Sequence, residues 1–387
     1  MRLRTRRHCD SRATPLRSLT GTLFRVKPRE IGALTGLRGA AAAWVVVFHL
    51  APELSSMTAG VADLFARAGY VGVDLFFVLS GFVIADNYQH FFKAWDFGKY
   101  WRFQLVRLGR IYPVHFVMLL ATLVIITVAG VVGYQRTTAV LDYSLGALVA
   151  NLLLIQAWGF PQYSWNWVAW TISAEWFAYL IFPFAAYALF SHLATRLTRV
   201  LVIVFVYAVM LSVSTLVGPD RTELALVRVT AGFTSGVIVW LWVRDRPPSE
   251  AAGGLAALIA IAGIVATILL MSVIGAASGS FWPAPWFVLL VFGVTGDRGP
   301  IARALSSKLG IFFGRISYSL YMVHAWVIVL VRTFVASRVS PSLSDIVVLV
   351  VAPAISIALA TLMFFVIEEP FRKRARELAG RREPQAR

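Results

Sequence analysis

Apolar runs recur along this chain at about 33–51, 70–85, 111–133, 144–158, 168–190, 199–217, 225–243, 253–277, 280–294, 317–335 and 346–367. A helix of about 20 apolar residues crosses a bilayer, and lipid offers no partners for exposed backbone polar groups. Each crossing must therefore satisfy its own backbone hydrogen bonds. These constraints point to an all-α, polytopic transmembrane helix bundle. Composition agrees: 59% of the 387 residues are hydrophobic and only 14% are charged.

The net charge of +17 raises the question of nucleic-acid binding. The basic residues gather in the tails and in short loops between apolar runs, where a membrane protein concentrates cytosolic charge, so no nucleic-acid partner is expected. Residues 1–30 carry nine Lys or Arg against two acids and show no removable signal peptide. They read as a basic cytosolic tail, followed by a transmembrane domain over 31–372 and a second basic cytosolic tail over 373–387. Cys9 is the single cysteine, so no intramolecular disulfide is expected. The sequence shows no Cys/His pattern of a metal site either.

Span count follows from charge. If all eleven runs cross, the loops holding Arg196, Arg199, Arg244 and Arg246 fall outside, against the usual bias. If the short run 144–158 lies in the interface or re-enters, about ten spans remain. Both termini are then cytosolic, as are the Arg-bearing loops. The run 280–294 is short as well and is the other candidate exception.

Ionisable residues inside spans are costly and mark polar interiors. With ten crossings, Arg38 falls near the inner end of the first span and His49 near its outer end, about 16 Å apart. Asp74 and Glu175 fall in the outer halves of their spans, so His49, Asp74 and Glu175 are expected to converge. Arg107 and Arg110, spaced i, i+3, should project from one helical face as paired guanidinium forks suited to phosphate. His324 is expected about two turns into a span that starts from the cytosol. Arg228 and Arg332, near outer span ends, are expected to snorkel.

Six blocks then stand in order over 34–372: LTGLRG with FH eleven residues after its arginine, GYVGVDLFFVLSGFVI, RLGRIYP, WTISAEWFAYLIFP, GRISYSLYMVH and IEEPFR. Together they resemble the acyltransferase-3 family of integral membrane acyltransferases. The resemblance implies an O-acyltransferase that moves an acyl group from a CoA thioester (acetyl-CoA or propionyl-CoA) to a hydroxyl of an acceptor, in a bacterial cell membrane. By position, the family's first-span arginine and histidine fall on Arg38 and His49, its RxxR pair on Arg107 and Arg110, and its acid on Glu175. Thr35 stands where the family usually has aspartate, Thr171 where serine is common and Ala174 where valine is common.

His49 is thus expected as general base or acyl carrier. Glu175 or Asp74 would hold its other ring nitrogen, and Arg38, Arg107, Arg110 and His324 would face acyl-CoA. The chain ends about twenty residues after its last run, so no second catalytic module is expected. Length and arginine-rich composition look most like the macrolide O-acyltransferases of antibiotic biosynthesis. A cell-surface polysaccharide or lipid-linked sugar is the alternative acceptor. A transporter would show inverted repeats, and none is evident.

Overall fold

The computed structural model describes residues 31–57, 60–131, 141–159, 164–218, 224–274 and 281–380. The first expected tail, 1–30, lies outside them, as do 381–387 of the second. Among the described residues the chain forms fifteen α-helices: α1 Gly32–His49, α2 Ala51–Met57, α3 Val61–Arg67, α4 Gly72–Asn87, α5 Phe97–Val131, α6 Leu145–Leu152, α7 Trp170–Ala188, α8 Arg196–Val217, α9 Leu224–Asp245, α10 Glu250–Val273, α11 Trp286–Val294, α12 Gly299–Leu305, α13 Lys308–Phe334, α14 Pro341–Met363 and α15 Glu369–Gly380. Apart from one isolated bridge between Asp142 and Ser164, no β-structure occurs among them.

Eight helical segments are long and apolar enough to cross a membrane, and α1 with α2, bent by 68°, makes a ninth. About ten were expected. The shortfall is the run 280–294, whose helix α11 has only nine residues, about 14 Å of rise. Pro283 and Pro285 lack the backbone N–H that would extend the helix toward residue 280. The preceding residues 282–285 form turns instead.

Helix direction settles which runs reverse the chain. α4 and α9 are parallel, since Asp74 meets Arg228 and, further along both, Asp86 meets Trp240. Four reversals, by α5, α7, α8 and α9, give that result, and a fifth at 144–158 would invert it. The run 144–158 accordingly forms only the eight-residue α6 and then turns. Leu154 sits at a left-handed φ of 59°. Ser173 donates to the Leu154 carbonyl (2.8 Å) and Tyr112 to that of Leu152 (3.1 Å). Gln156 Nε2 donates to the Ala169 carbonyl at 3.1 Å. Irregular backbone at membrane depth survives only when protein satisfies it in this way.

α1 and α13 are also parallel, which requires the short α11 to count as a reversal. It does: α11 runs antiparallel to α10, with Gly293 against Gly253 and Trp286 against Gly263. The central helices approach closely through glycines. A Cβ on Gly36 or Gly314 would strike backbone of the facing helix or loop, and one on Gly236 would strike the Val78 carbonyl. Small residues are how helices pack tightly where lipid supplies no hydrophobic drive. Peripheral helices show the opposite face: Leu197, Val200, Leu201, Val204 and Phe205 of α8 are all exposed, as lipid-facing residues should be.

At the C-terminal end, α14 passes through a π turn at Phe364–Glu368 into α15, which packs on α5. The helix therefore runs past residue 372 to Gly380.

One substitution at two glycines tests the packing. Gly236→Ala should destabilise the protein by about 1–3 kcal/mol through overpacking. Gly254→Ala, where a Cβ meets nothing within 4 Å, should be neutral or stabilising by up to about 1 kcal/mol. Thermal melting in detergent reads both; equal effects would contradict the close α4–α9 approach.

Candidate active site

The charges inside the bundle fall into two sets. The first set is neutralised. Arg228 reaches Asp74 through two nitrogens, at 3.0 and 2.8 Å, with both side chains buried. Its guanidinium lies 4.8 Å from the Trp170 ring and 4.4 Å from Phe281. Asp74 therefore does not hold His49, as expected from its depth; it faces α9 and is committed there. Arg228 does not snorkel, because a closer carboxylate neutralises it. Arg332 likewise pairs with Glu53 in a bidentate ion pair, one arm at 2.7 Å, and donates to the His49 carbonyl at 2.9 Å. It caps the end of α1 where the chain bends into α2. Glu53 and Arg332 were not anticipated as site neighbours, although Glu53 lies only four residues beyond His49.

His49 meets His324. The approach is 3.2 Å, from His324 Nε2 to His49 Nδ1. His324 was expected nearer the donor's side, about two turns into its span. Its helix, however, begins at Lys308 rather than at the apolar run's start. That puts His324 sixteen residues in, about 24 Å along the helix, level with the far end of α1.

The tautomers follow from the acceptors. His324 Nδ1 stands 2.7 Å from the Tyr321 carbonyl and 3.2 Å from that of Leu320, and carbonyls only accept, so Nδ1 carries the hydrogen. Nε2 of a neutral ring is then an acceptor. His49 Nδ1, 2.9 Å from the Val45 carbonyl, carries its hydrogen too and shares it with His324 Nε2. This assignment rests on the hydrogen-bond network. It leaves the lone pair of His49 at Nε2. Among the described residues no carboxylate bonds to either ring; a carbonyl and a second imidazole do the orienting that Glu175 or Asp74 was expected to do.

The second set of charges lines a cavity inside the bundle. Arg38, Arg110, Glu175, Thr171, Tyr318 and Tyr321 are among its walls. Among the described residues neither Arg38 nor Arg110 has a hydrogen-bond or ion-pair partner. Glu175 accepts from Ser80. The cavity does not reach His49. Tyr321 stands between, lining the cavity while its ring lies 5.7 Å from that of His324 and its hydroxyl donates to the Val168 carbonyl at 2.9 Å.

Arg107 and Arg110 have different surroundings. Arg107 is buried against the rings of Tyr88, Phe103 and Tyr179, and one terminal nitrogen donates to the Tyr88 hydroxyl at 3.1 Å. Arg110 alone of the pair opens on the cavity. No group of three or more His, Cys, Asp and Glu able to hold a metal ion occurs among the described residues.

The family model described as an acyltransferase domain matches residues 31–365. Acyltransferase MdmB of Streptomyces mycarofaciens is 32% identical over 163 residues, covering 40% of this chain and 38% of that protein. O-acetyltransferase OatA of Staphylococcus aureus (strain NCTC 8325 / PS 47) is 22% identical over 377 residues, covering 90% of this chain and 58% of that protein. The chain thus spans well under two thirds of the length of either relative. No solved structure matches it.

If Asp74 and Arg228 serve as a brace, Arg228→Met alone should cost about 3–5 kcal/mol by stranding a buried carboxylate. Asp74→Leu with Arg228→Met should recover most of that loss. Thermal unfolding of the three proteins decides; a double variant no more stable than the single one would show that the two charges do not depend on each other.

Proposed function

The chain belongs to the acyltransferase-3 family, and on that premise we propose that it is a multi-pass bacterial membrane O-acyltransferase that transfers acetyl or propionyl from acyl-CoA to an acceptor hydroxyl. The observation that carries this reading is the split among its buried charges: every other intramembrane arginine described above has a partner, whereas Arg38 and Arg110 face a cavity without one. Unneutralised guanidinium groups in a low-dielectric interior are costly, and a phosphate-bearing ligand relieves that cost through charge-assisted hydrogen bonds. The cavity walls fit the rest of such a donor. Phe76, Phe77 and Ile172 suit a thin, mostly uncharged pantetheine arm.

On this reading His49 is the general base. Its Nε2 lone pair takes the proton of the acceptor hydroxyl as the oxygen attacks the thioester carbonyl carbon. The carbon–sulfur bond breaks, and the proton passes to the departing CoA sulfur. The imidazolium formed in between keeps its Nδ1–H on the Val45 carbonyl and His324 Nε2, and Arg332 fixes the backbone at His49. His324 is then a positioning residue rather than a donor contact, and Asp74 a brace. Glu175 belongs to the cavity and faces the donor. Tyr321, on the partition between cavity and histidines, has to give way for the thioester to reach His49.

The favoured acceptor is a hydroxyl of a macrolide lactone or of its sugar, on the strength of the arginine-rich composition. A cell-surface polysaccharide or lipid-linked sugar is the second candidate. Membranes containing the protein, supplied with acetyl-CoA or propionyl-CoA and a macrolide bearing a free hydroxyl, should yield a product heavier by one acyl unit in mass spectrometry. His49→Ala should lower the rate by about 10²–10⁴. His324→Ala should cost less, about tenfold, because the Val45 carbonyl still fixes the His49 tautomer. Equal losses, or an unaffected His49→Ala, would defeat the assignment of His49 as base. Transfer to an envelope glycan extract and not to the macrolide would select the second acceptor.

A further inference from the structure

The arginines that remain outside this account lie where α15 crosses α5. The two helices touch at Gly109, where an added Cβ would overlap the side chain of Ala375. Arg107 and Arg110 flank that contact on α5. On α15, Arg372 and Arg376, four residues apart, flank it from the other side. Arg372 lies within electrostatic range of Arg110 and Arg376, and Arg376 within range of Arg107 and Arg110. Four guanidinium groups therefore surround one helix crossing.

The local acids do not balance them. Glu369 pairs with Arg372 and, at 3.4 Å, with Lys373. Glu368 is buried, accepts from Ser319 at 2.7 Å and lies within electrostatic range of Arg110 and Arg372, one carboxylate against two guanidinium groups. Arg110 and Arg376 have no partner among the described residues. Two further nitrogens are buried without one: Nε of Arg372, and Nε of Arg107, a residue only 7% exposed. Like charges held this close repel, and a cluster of unspent donors persists at a crossing when a multiply charged anion fills it.

We infer that Arg372 and Arg376, with Arg107 and Arg110, form a phosphate-binding site that holds the nucleotide end of the acyl donor. The inference rests on the proposed reading that the donor is acyl-CoA. Arg110 is shared by the crossing and the cavity. A ligand whose phosphates sit on α15 can therefore lead its uncharged arm past Arg110 and Glu175 toward Tyr321. The last helix is then part of the donor site. The same chemistry could be met by an anionic phospholipid headgroup, and the experiment separates the two sources.

Equilibrium binding of CoA, and of CoA lacking its 3′-phosphate, to the full-length protein in neutral detergent is the test. Arg376→Gln and Arg372→Gln should each weaken CoA binding about 10- to 100-fold. Arg374→Gln, on the exposed opposite face of α15, should change it less than about twofold. The mixed-micelle arm adds phosphatidylglycerol or phosphatidylcholine, and CoA should compete equally well in either. If wild type binds CoA while Arg376→Gln and Arg372→Gln bind it as tightly, the inference fails and the proposed function stands. Binding displaced by phosphatidylglycerol alone would assign the arginines to lipid and overturn the nucleotide assignment. Neither CoA binding nor acyl transfer by wild type would remove the proposed function, and this inference with it.

Discussion

A charge inside a hydrocarbon layer has to be neutralised by protein, water or ligand. That constraint organises the bundle. Asp74 with Arg228 ties α4 to α9, and Glu53 with Arg332 ties the α1–α2 bend to α13. At the end of the bundle Arg199 reaches Asp245 at 2.7 Å and joins α8 to α9. None of these pairs can be swapped for another without stranding a charge, so together they fix which helices are neighbours. Removing one partner of such a buried pair is costly because it leaves an uncompensated charge. The arginines they leave over are the ones that face a cavity or crowd a helix crossing.

The histidine pair depends on a different constraint, backbone proximity. His49 and His324 meet only because α1 and α13 run parallel and lie close enough for Gly39 and Gly314 to touch facing backbone. The start of α1 is fixed from far along the chain: Asp297 accepts from the Gly32 and Ala33 amides at 3.0 and 2.6 Å. Arg332 fixes its other end. The rotation of α1 about its axis, and with it the direction of the His49 ring, is thereby held at both ends by residues more than 260 positions distant. An imidazole oriented by a carbonyl and a neutral partner keeps its Nε2 lone pair free without a buried carboxylate, which would itself need neutralising here.

Spans could be read from the sequence because hydropathy is a one-dimensional property. The status of 144–158 could be read too, since a run of loop charges depends on crossing parity. Contacts could not be read so. Depth along a span says nothing about azimuth, and the Asp74 side chain faces α9. His324 was misplaced because the apolar run begins at 317 while the helix begins at Lys308; the polar turns that precede the run are helical and part of the crossing. The run 280–294 satisfied a hydropathy count, yet two prolines shorten its helix. Glu53 gave a faint signal, an acid just past the His49 span, and its partner Arg332 was one of two arginines read as snorkelling. The cavity itself has no sequence signature beyond the blocks that line it.

Arg38 and His49 share one helix, and the eleven residues between them span about 16 Å. This separation has a consequence on the proposed reading. A nucleotide phosphate held at Arg38 and Arg110 cannot follow its acyl group to His49, because charge is costly along that path. The transfer site must be reached by the arm alone, and Phe76, Phe77 and Tyr321 give that arm an aromatic side of the cavity to follow. The acceptor hydroxyl, small and neutral, has to come to the histidines from the other direction. On the proposed reading, a bundle that separates its anion-binding arginines from its base by half a membrane keeps a highly charged donor on one side while its acyl group is delivered toward the other.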